Sequence, residues 1–541
     1  MVVLVTVLGI PALVGASGGR AASGAPSPQV ARPVEPPQQD AFSGTFSGTA
    51  GSPAGSPTGE ATRGAPGAGT RDAQAPGRAW FDRFPLPPGS QPWSVAVGRD
   101  GTVWVVLQGS RQLAALDPAT GRWRHAALPR GVRPARVAVS PDGSVWLTDN
   151  DFGRDPGRKL WRYRPGAGTW QAYELPFAGA AAVLVDDRGQ VWTGQFQGNR
   201  LGRLDPRTGR VETWTLPLPE YPWSSIWDLD MDEQGRVWTV SPRTGSVYRL
   251  DPRDGSLAEF PLPPDVAGPA GLAVTPAGDG VWVTEHGDRT IGRLDVATGA
   301  WVPLLTPPAP AAEEIRATRP NDLEWDRRGH LWVALHTGNA LARIDPANAT
   351  LHLFPLPAGE PKSWVQWLAR GPDGALWFAA FGRDYVGRVD PSRLAAPQLS
   401  ATAERQRLAP GEETRVSLAV VAPPGEEGGG AAAGAATAPE WQVLDLPRGW
   451  SADWEERGSS AARARLRVPG DAEPGLYAAV LGVALPDGTV VTRTVRVEVV
   501  PGTGGAWAVV AGFAGMVAAL TVGWLGVAAD LRRRNRPARQ R

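Results

Sequence analysis

One group of polar side chains could move a proton or hold a divalent cation. Glu285 is the candidate catalytic residue, because a carboxylate can remove a weakly acidic proton. Asp149, Gln195 and Asn321 carry oxygen atoms, which are the ligands that hard cations prefer. These four side chains could act together only if the fold brings them to one place. An enzyme would then use Mg²⁺ or Ca²⁺ as its cofactor; otherwise the sequence predicts no cofactor and no dedicated metal site.

A second group of side chains could bind a ligand without changing it. Trp93 and Trp227 present flat aromatic faces, while His286 and Gln366 can donate and accept hydrogen bonds. Aromatic faces beside polar groups suit glycans or aromatic-bearing peptides. Asp149, Gln195 and Asn321 also belong to this predicted ligand-binding set. We therefore predict a binding site for a glycan, a peptide or another small molecule.

Composition excludes several other kinds of chemistry. The chain has no cysteine, which excludes disulfides, thiolate metal sites and a cysteine nucleophile. Lys159 and Lys362 are its lysines, so Schiff-base catalysis is not expected. Its 55 basic and 54 acidic residues leave a net charge of +1, which gives no field to attract nucleic acid.

The candidate residues lie in a segment that repeats. A motif of the form D-G-x-[VL]-W-[VLTF] recurs, with its tryptophan at positions 104, 146, 192, 238, 282, 332 and 377. A period of about 45 residues with glycine turns and short β-rich runs is typical of a β-propeller, with one four-stranded blade per repeat. We predict an all-β fold with a seven-bladed propeller over residues 80–396.

The last strand of the repeat predicts how the ring closes. The first six repeats each end in a Leu-Pro or Leu-Leu-x-Pro strand, whereas the seventh, which ends VGRVDPSRLAAP, lacks one. An isolated copy, Phe84-Pro85-Leu86-Pro87, precedes the first repeat. We therefore expect residues 81–88 to pair with residues 385–391 and leave no free sheet edge.

Alignment on the repeated tryptophan identifies two positions that should converge at a mouth of the central channel. The first lies eleven residues before it, with one residue inserted in the fifth repeat, and comprises Trp93, Ala135, Ala181, Trp227, Ala270, Asn321 and Gln366. The second lies three residues after it and comprises Leu107, Asp149, Gln195, Ser241, Glu285, Leu335 and Ala380. His286 and His336 follow the second position in their repeats.

The repeat resembles the streptogramin (virginiamycin B) lyase family of seven-bladed propellers. VWVTEHGDRTIGRLD at 281–295 is its best copy, and F-P-L-P strands complete the pattern. The resemblance implies an elimination that opens a macrocyclic lactone, with Mg²⁺ stabilising an enolate. Glu285 matches the family glutamate, but Ala270 stands where the family has its histidine. The resemblance therefore predicts the fold and leaves the reaction without its proton-transfer residue.

A shorter resemblance concerns residues 319–325, RPNDLEW. This segment is similar to the N-G-L segment of regucalcin-like and gluconolactonase-like propellers, in which the asparagine binds a divalent metal. Asn321 matches that asparagine, while Asp322 replaces the glycine. A lactonase-like enzyme is therefore part of the enzyme alternative.

The two ends of the chain predict export and anchoring. Residues 2–16 are apolar and end in small residues, so 1–16 is predicted to be a signal peptide. Residues 17–79 are rich in Gly, Pro, Ser, Ala and Thr and are predicted to be a disordered linker. Residues 506–529 carry no charge and precede the arginine-rich segment 530–541, as expected for a transmembrane helix with a cytoplasmic tail.

Between the repeats and that apolar run, residues 397–500 alternate at period two. VPGDAEPGLYAAVLGV at 468–483 resembles membrane-proximal immunoglobulin-like β-sandwiches, whose expected role is a stalk. The whole chain is thus predicted to be an extracytoplasmic, single-pass membrane protein that binds, senses or interacts with the cell envelope. The alternative is a lyase-like or lactonase-like enzyme. Val500-Pro501-Gly502-Thr503-Gly504 also resembles a sortase signal, which would place the protein on the cell wall instead.

Overall fold

The computed structural model describes residues 80–501, apart from 151–156, 197, 218–225, 265, 267, 287–289, 306–318, 348–349, 357–362, 395–397, 422–438 and 486–489. The predicted signal peptide, linker, transmembrane helix and cytoplasmic tail lie outside the described residues. Within the described part of the chain, no helix is long and apolar enough to cross a membrane. The prediction of an all-β fold is confirmed, since strands dominate the described residues, in which the helical elements are two 3-10 helices, Phe381–Arg383 and Pro391–Arg393.

Antiparallel four-stranded sheets occupy most of the repeat region. Strand β1 (Asp82–Pro85) comes first, and sheet one then consists of β2 (Pro92–Val97), β3 (Val103–Leu107), β4 (Gln112–Asp117) and β5 (Arg122–Ala127). Sheet two consists of β6 (Pro134–Val139), β7 (Val145–Asp149), β8 (Lys159–Arg164) and β9 (Thr169–Glu174). Sheet three consists of β10 (Ala180–Val185), β11 (Val191–Gln195), β12 (Arg200–Leu204) and β13 (Val211–Thr215).

The later repeats form sheets of the same kind. Sheet four consists of β14 (Leu229–Met231), β15 (Val237–Ser241), β16 (Ser246–Leu250) and β17 (Leu257–Pro261). Sheet five consists of β18 (Pro269–Val274), β19 (Gly280–Glu285), β20 (Thr290–Asp295) and β21 (Trp301–Leu305). Sheet six contains β22 (Pro320–Trp325), β23 (Leu331–Leu335), β24 (Ala340–Asp345) and β25 (Thr350–Pro355). Sheet seven contains β26 (Val365–Arg370), β27 (Leu376–Ala380) and β28 (Tyr385–Val389), with β1 as its fourth strand.

The first strand of each sheet lies next to the first strand of the following sheet. These contacts run from β2 through β6, β10, β14, β18, β22 and β26 and return to β2. The ring is closed by the predicted pairing, because β1 is antiparallel to β28 with Asp82 opposite Arg388 and Pro85 opposite Tyr385. The expectation drawn from the displaced Phe-Pro-Leu-Pro strand is therefore confirmed.

The repeated tryptophan is part of a recurring packing unit. All seven copies are buried. In five sheets the arginine of the third strand places its guanidinium 5.3–6.0 Å from the centre of that indole ring: Arg162, Arg203, Arg249, Arg343 and Arg388. In sheets three, four and six the indole N–H also donates to the aspartate of the preceding turn, as in Trp238 to Asp232 at 2.7 Å. The repeat keeps its pattern along this chain because the tryptophan packs against an arginine and, in these three sheets, donates its indole N–H to an aspartate.

The remaining strands form two sheets that share a second core. One contains β29 (Gln398–Ala403), β31 (Glu413–Val421), β34 (Ala461–Arg467) and β33 (Ser451–Arg457) in that order. The other contains β32 (Glu440–Asp445), β35 (Gly475–Ala484) and β36 (Val490–Val499), with β30 (Arg407–Leu408) parallel to β36. Leu418 of the first sheet and Leu481 of the second are buried in the same cluster. Strand β36 also pairs with β25, so the second sheet continues sheet six.

Candidate functional site

The innermost strands are irregular where the sequence predicted a convergent position. In six sheets the register between the first and second strands shifts there, for example between Pro320 and Leu323 and between Val365 and Leu368. A β-bulge breaks the alternation of side chains and re-aims the residues that it contains. Two consecutive side chains of one strand, such as Gln366 and Trp367, therefore both contact residues outside their own sheet.

The first cluster is built around Gln366 in sheet seven. The Gln366 side-chain nitrogen lies 2.7 Å from His336 Nε2, and the imidazole rings of His336 and His286 stack with their centres 5.8 Å apart. The Asn321 amide donates to the main-chain oxygen of Gln366 at 2.7 Å. The indole of Trp364 meets the His336 ring edge-on at 6.4 Å. The structure thus brings together three predicted site residues, His286, Asn321 and Gln366.

Both histidines in this cluster are weak bases. Burial lowers the pKa of His286 to about 4, helped by the charge of Arg319. Burial also lowers the pKa of His336 to about 3, with the charges of His286 and Arg319 adding to the effect. Both imidazoles are therefore neutral near pH 7 and serve as aromatic faces and hydrogen-bonding groups. A general base works best with a pKa near the working pH, which neither ring has.

A row of aromatic rings extends the first cluster towards sheet one. The Trp364 ring stacks on Phe381 at 6.3 Å, and Phe381 meets the edge of Trp93 at 5.4 Å. Trp93 and Trp364 are only partly buried, so their rings retain accessible surface. Trp364 has a φ of 48°, in the left-handed region that bulky residues rarely adopt. The neighbouring Ser363 holds this conformation by donating its N–H to Asn339 Oδ1 at 2.9 Å.

A second cluster crosses the ring of sheets. Arg136 of sheet two donates to Asp228 Oδ1 at 3.3 Å, at the start of sheet four. Its guanidinium carbon also lies 3.2 Å from the ring centre of Trp367 in sheet seven. Trp367 in turn packs against Trp227 with ring centres 6.1 Å apart. One arginine therefore links three sheets that are not neighbours in the chain.

The carboxylates of this region tie adjacent sheets together. Asp228 accepts the N–H of Leu272 at 3.3 Å, in a hydrogen bond from sheet four to sheet five. In the same way, Asp322 of sheet six accepts the N–H of Leu368 in sheet seven at 2.7 Å. The inner edge of an innermost strand has no pairing strand, so its N–H groups need side-chain acceptors. These aspartates supply them.

Burial raises the pKa of several carboxyl groups in this region. It raises the pKa of Glu324 to about 7, opposed by Arg370 and reinforced by Asp230. It raises the pKa of Asp230 to about 6. The pKa of Asp322 is also raised, first by burial and then by the charge of Asp228. The centre of the ring thus holds acids that protonate near neutral pH.

Glu324→Gln should stabilise the protein at pH 8 but not at pH 5. A carboxyl group whose pKa rises on folding contributes stability below its unfolded pKa of about 4.5, and that contribution is lost as pH rises through about 7. Glutamine cannot ionise and so avoids the loss. Urea unfolding at both pH values measures the difference, with the exposed Glu233→Gln as control. Equal effects of Glu324→Gln at the two pH values would contradict this account.

The remaining predicted site residues are Asp149, Gln195 and Glu285. Asp149, at the end of β7, accepts the N–H of Arg133 at 3.0 Å and the indole N–H of Trp161 at 3.4 Å, both from its own sheet or the loop before it. The Gln195 side chain lies against Gly198. Glu285 is buried at the end of β19, opposite Pro269. Across the described residues no group of three or more His, Asp or Glu could hold a metal ion, so the proposed convergence on a cation gains no support.

Sequence alignment missed the residues at the next position. Arg136, Asp228, Asp322 and Trp367 each follow a first-ring residue directly, where other repeats have small side chains such as Ser94. Strict alternation along a strand assigns that position to the opposite face. A signal was present in the sequence, because charged and aromatic residues recur there in a segment that otherwise buries small apolar ones.

Comparison with known proteins shows which proteins the repeat region is similar to. Residues 81–312 match the virginiamycin B lyase family. A streptogramin B lyase structure is 23% identical with a TM-score of 0.49, covering 58% of this chain and 99% of its own. Selenomethionine-substituted virginiamycin B lyase from Staphylococcus aureus is 20% identical with a TM-score of 0.49, covering 57% of this chain and 98% of its own. No curated protein matches the chain.

The position that the family resemblance makes critical is occupied by Ala270. It lies on β18 and is 1% exposed. Thr284 and Glu285 follow the repeated Trp282, as the family pattern requires. Residues 81–312 therefore confirm the resemblance that the repeat predicted, and this chain carries a virginiamycin B lyase-like β-propeller.

Proposed function

We propose that this protein is an extracytoplasmic, membrane-anchored propeller of seven blades that binds a ligand at one mouth of its channel. The observation that carries the proposal is the row formed by Trp93, Phe381, Trp364 and His336 beside the Gln366 amide. Flat rings with neutral hydrogen-bonding groups suit a neutral glycan or an aromatic-bearing peptide. The strained backbone of Trp364 supports a role in binding, because such strain clusters at functional sites.

The same cluster is better suited to binding than to acid–base catalysis. Ala270 has no side chain that can move a proton, and the pKa values of His286 and His336 fall to about 4 and about 3. Neutral imidazoles of this kind can donate or accept hydrogen bonds with sugar hydroxyls or peptide amides. They would hold little positive charge at neutral pH, so charge recognition is not expected at this mouth.

Trp364→Ala should weaken ligand binding by at least about tenfold, since exposed tryptophans at the centre of a contact dominate its energy. The probes are the tetramer of N-acetylglucosamine and a tyrosine-containing hexapeptide, each titrated against tryptophan fluorescence and by calorimetry. Trp123→Ala, on the outer strand of sheet one, is the matched control. If neither probe binds the full chain, or if both variants bind equally, the proposed site is wrong.

A second candidate function is favoured by the family match and by the Thr284-Glu285 pair. A lyase of this kind would need Glu285 and a divalent metal to act without the histidine. We expect the purified protein not to linearise a streptogramin B antibiotic in the presence of Mg²⁺, because Ala270 removes the proton-transfer group. Chromatography and mass spectrometry detect the ring-opened product. Mg²⁺-dependent turnover that Glu285→Gln abolishes would restore the enzyme interpretation.

The proposed location rests on the two ends of the chain and on residues 397–500 as an immunoglobulin-like stalk. Apolar residues 2–16 support export, and the uncharged run 506–529 before an arginine-rich tail supports a single span. Membrane fractionation with mass spectrometry of the C-terminus tests this arrangement. Intact chains ending at Arg541 in the membrane fraction are expected. Chains that end at Thr503 and are joined to the cell wall would establish sortase anchoring instead.

A further inference from the structure

A groove lies where sheets five and six meet β36. Two adjoining cavities of about 440 Å³ and about 290 Å³ form it, and both are walled by Pro346, Ala347 and Arg496. Small-molecule sites usually measure roughly 300–1,000 Å³. This junction groove is therefore large enough for a ligand of two or more sugar units.

Positive charge dominates the walls of the junction groove. Arg293, Arg493 and Arg496 line it, and Asp279 is the acidic residue among its lining residues. Asp279 already accepts the Thr275 hydroxyl at 2.5 Å. The negative charge of Asp279 is therefore partly offset by a hydrogen bond within its own turn.

The arginines of the groove have few protein partners. Arg493 donates to the Thr350 hydroxyl at 3.1 Å, and the nearest ion-pair distance of Arg293 is 3.8 Å, to Asp295. Arg496 is exposed, and no carboxylate in the described part of the chain lies within ion-pair distance of it. Burial lowers the pKa of the Arg493 guanidinium; the charge of Asp345 opposes this shift, and repulsion from Arg496 adds to it. An anionic ligand would relieve this repulsion.

Aromatic surface accompanies the charge. Trp325 and Trp282 both line the larger cavity. The Trp325 indole N–H donates to the main-chain oxygen of Val274 at 2.9 Å, which fixes the orientation of its ring. Trp325 is only partly buried, so part of this fixed ring is accessible from the groove. Rigid indole surface beside guanidinium groups combines a platform for a sugar ring with partners for its charged substituent.

We propose that the junction groove binds an anionic polysaccharide, with Arg293, Arg493 and Arg496 pairing with its acidic groups and Trp325 packing against a sugar ring. Guanidinium groups bind carboxylate and sulfate oxygens through paired, charge-assisted hydrogen bonds. The described lining residues of the groove include none of the residues of the aromatic row or Gln366 at the channel mouth. The groove would let the protein hold a charged envelope polymer while the propeller mouth remains open.

The experiment uses the full chain and three tetrasaccharides. Tetragalacturonate carries carboxylates, a heparin tetrasaccharide carries sulfates as well, and cellotetraose is neutral. We expect one or both acidic probes to bind, with affinity that falls as salt rises, and cellotetraose to bind the groove at least about tenfold more weakly, because it cannot form charge-assisted hydrogen bonds. Binding of tetragalacturonate alone would identify carboxylate as the recognised group, and binding of the heparin probe alone would identify sulfate.

Arg496→Ser is the decisive variant, because an exposed arginine without an ion-pair partner can be removed with little effect on stability. It should weaken binding of the acidic probe about tenfold while the melting temperature stays unchanged. Arg122→Ser, which removes an exposed arginine of β5, is the matched control and should bind normally. Trp364→Ala should also bind normally, which separates this proposal from the one for the channel mouth. Equal binding of cellotetraose to the Trp364→Ala protein, in which the proposed mouth site is weakened, or an unchanged affinity of the acidic probe in Arg496→Ser, would overturn the proposal.

Discussion

Removal of residues 81–88 should lower the free energy of unfolding by at least about 5 kcal/mol, because the ring of sheets would lose its closing strand. Phe84 and Leu86 are buried, and each large apolar side chain lost from a core costs about 2–5 kcal/mol. The Phe84 ring lies 5.4 Å from Trp377, the repeated tryptophan of sheet seven. Deletion would also leave β28 as an unpaired edge beside sheet one. Urea unfolding followed by circular dichroism measures the loss.

Two companion variants make this result specific. Deletion of residues 71–78 removes the same length of chain just before the strand and should leave the unfolding midpoint unchanged. Phe84→Ala keeps the β1–β28 pairing and should cost about 3–5 kcal/mol through the cavity that it leaves. A deletion of 81–88 that unfolds at the same urea concentration as the full chain would show that the ring does not depend on this strand.

The fold could be predicted from the sequence because the side chains that pack together within one sheet recur at fixed positions in the repeat. In sheets three, four and six the repeated Trp has an aspartate six residues before it, which accepts the indole N–H, and an arginine eleven residues after it, whose guanidinium lies over the ring. The displaced Phe-Pro-Leu-Pro strand was predictable for a similar reason. The last repeat lacks its outer strand, and an extra copy of that strand precedes the first repeat. The simplest arrangement pairs the two, and the structure shows this pairing with Asp82 opposite Arg388.

The joining of β36 to sheet six could not be derived from the repeat. Nothing local relates β25 to a strand that begins at Val490, and pairing over that separation depends on the whole fold. The amino-acid composition of β25 does give an indication of this pairing. β25 is Thr-Leu-His-Leu-Phe-Pro, largely buried, whereas the corresponding outer strand β5 is Arg-Trp-Arg-His-Ala-Ala and mostly exposed. An outer strand that is more apolar than its counterparts indicates that another element covers it.

The site was predicted only in part because β-bulges displaced the pattern by one residue. Gln366, Asn321 and His286 do meet, as the aligned positions predicted, but through a main-chain oxygen and a stacked His336 that alignment could not supply. Asp149 belongs instead to contacts with Arg133 and Trp161. Long-range pairs such as Arg136 with Asp228 have no sequence signature, since they depend on which repeats face each other across the ring.

Arg136→Met should destabilise the protein by about 3–5 kcal/mol at pH 8, because it leaves the Asp228 carboxylate buried without its counter-charge. The Arg136 side chain is 15% exposed and that of Asp228 4%, so water cannot replace the lost partner. The loss should be smaller at pH 5. Burial already raises the pKa values of Asp228 and Asp322, and removal of the guanidinium raises them further. The folded variant then gains protons, and with them stability, as pH falls.

A double variant distinguishes loss of charge balance from loss of packing. Arg136→Met combined with Asp228→Asn removes both charges, while the asparagine oxygen can still accept the N–H of Leu272. It should recover at least half of the stability lost in Arg136→Met, because removing both members of a buried pair costs far less than removing one. Arg124→Met, on the exposed strand β5, is the control and should change stability by no more than about 0.5 kcal/mol. If the double variant were no more stable than Arg136→Met at pH 8, the contact with Trp367, and not the ion pair, would be what Arg136 contributes to the ring.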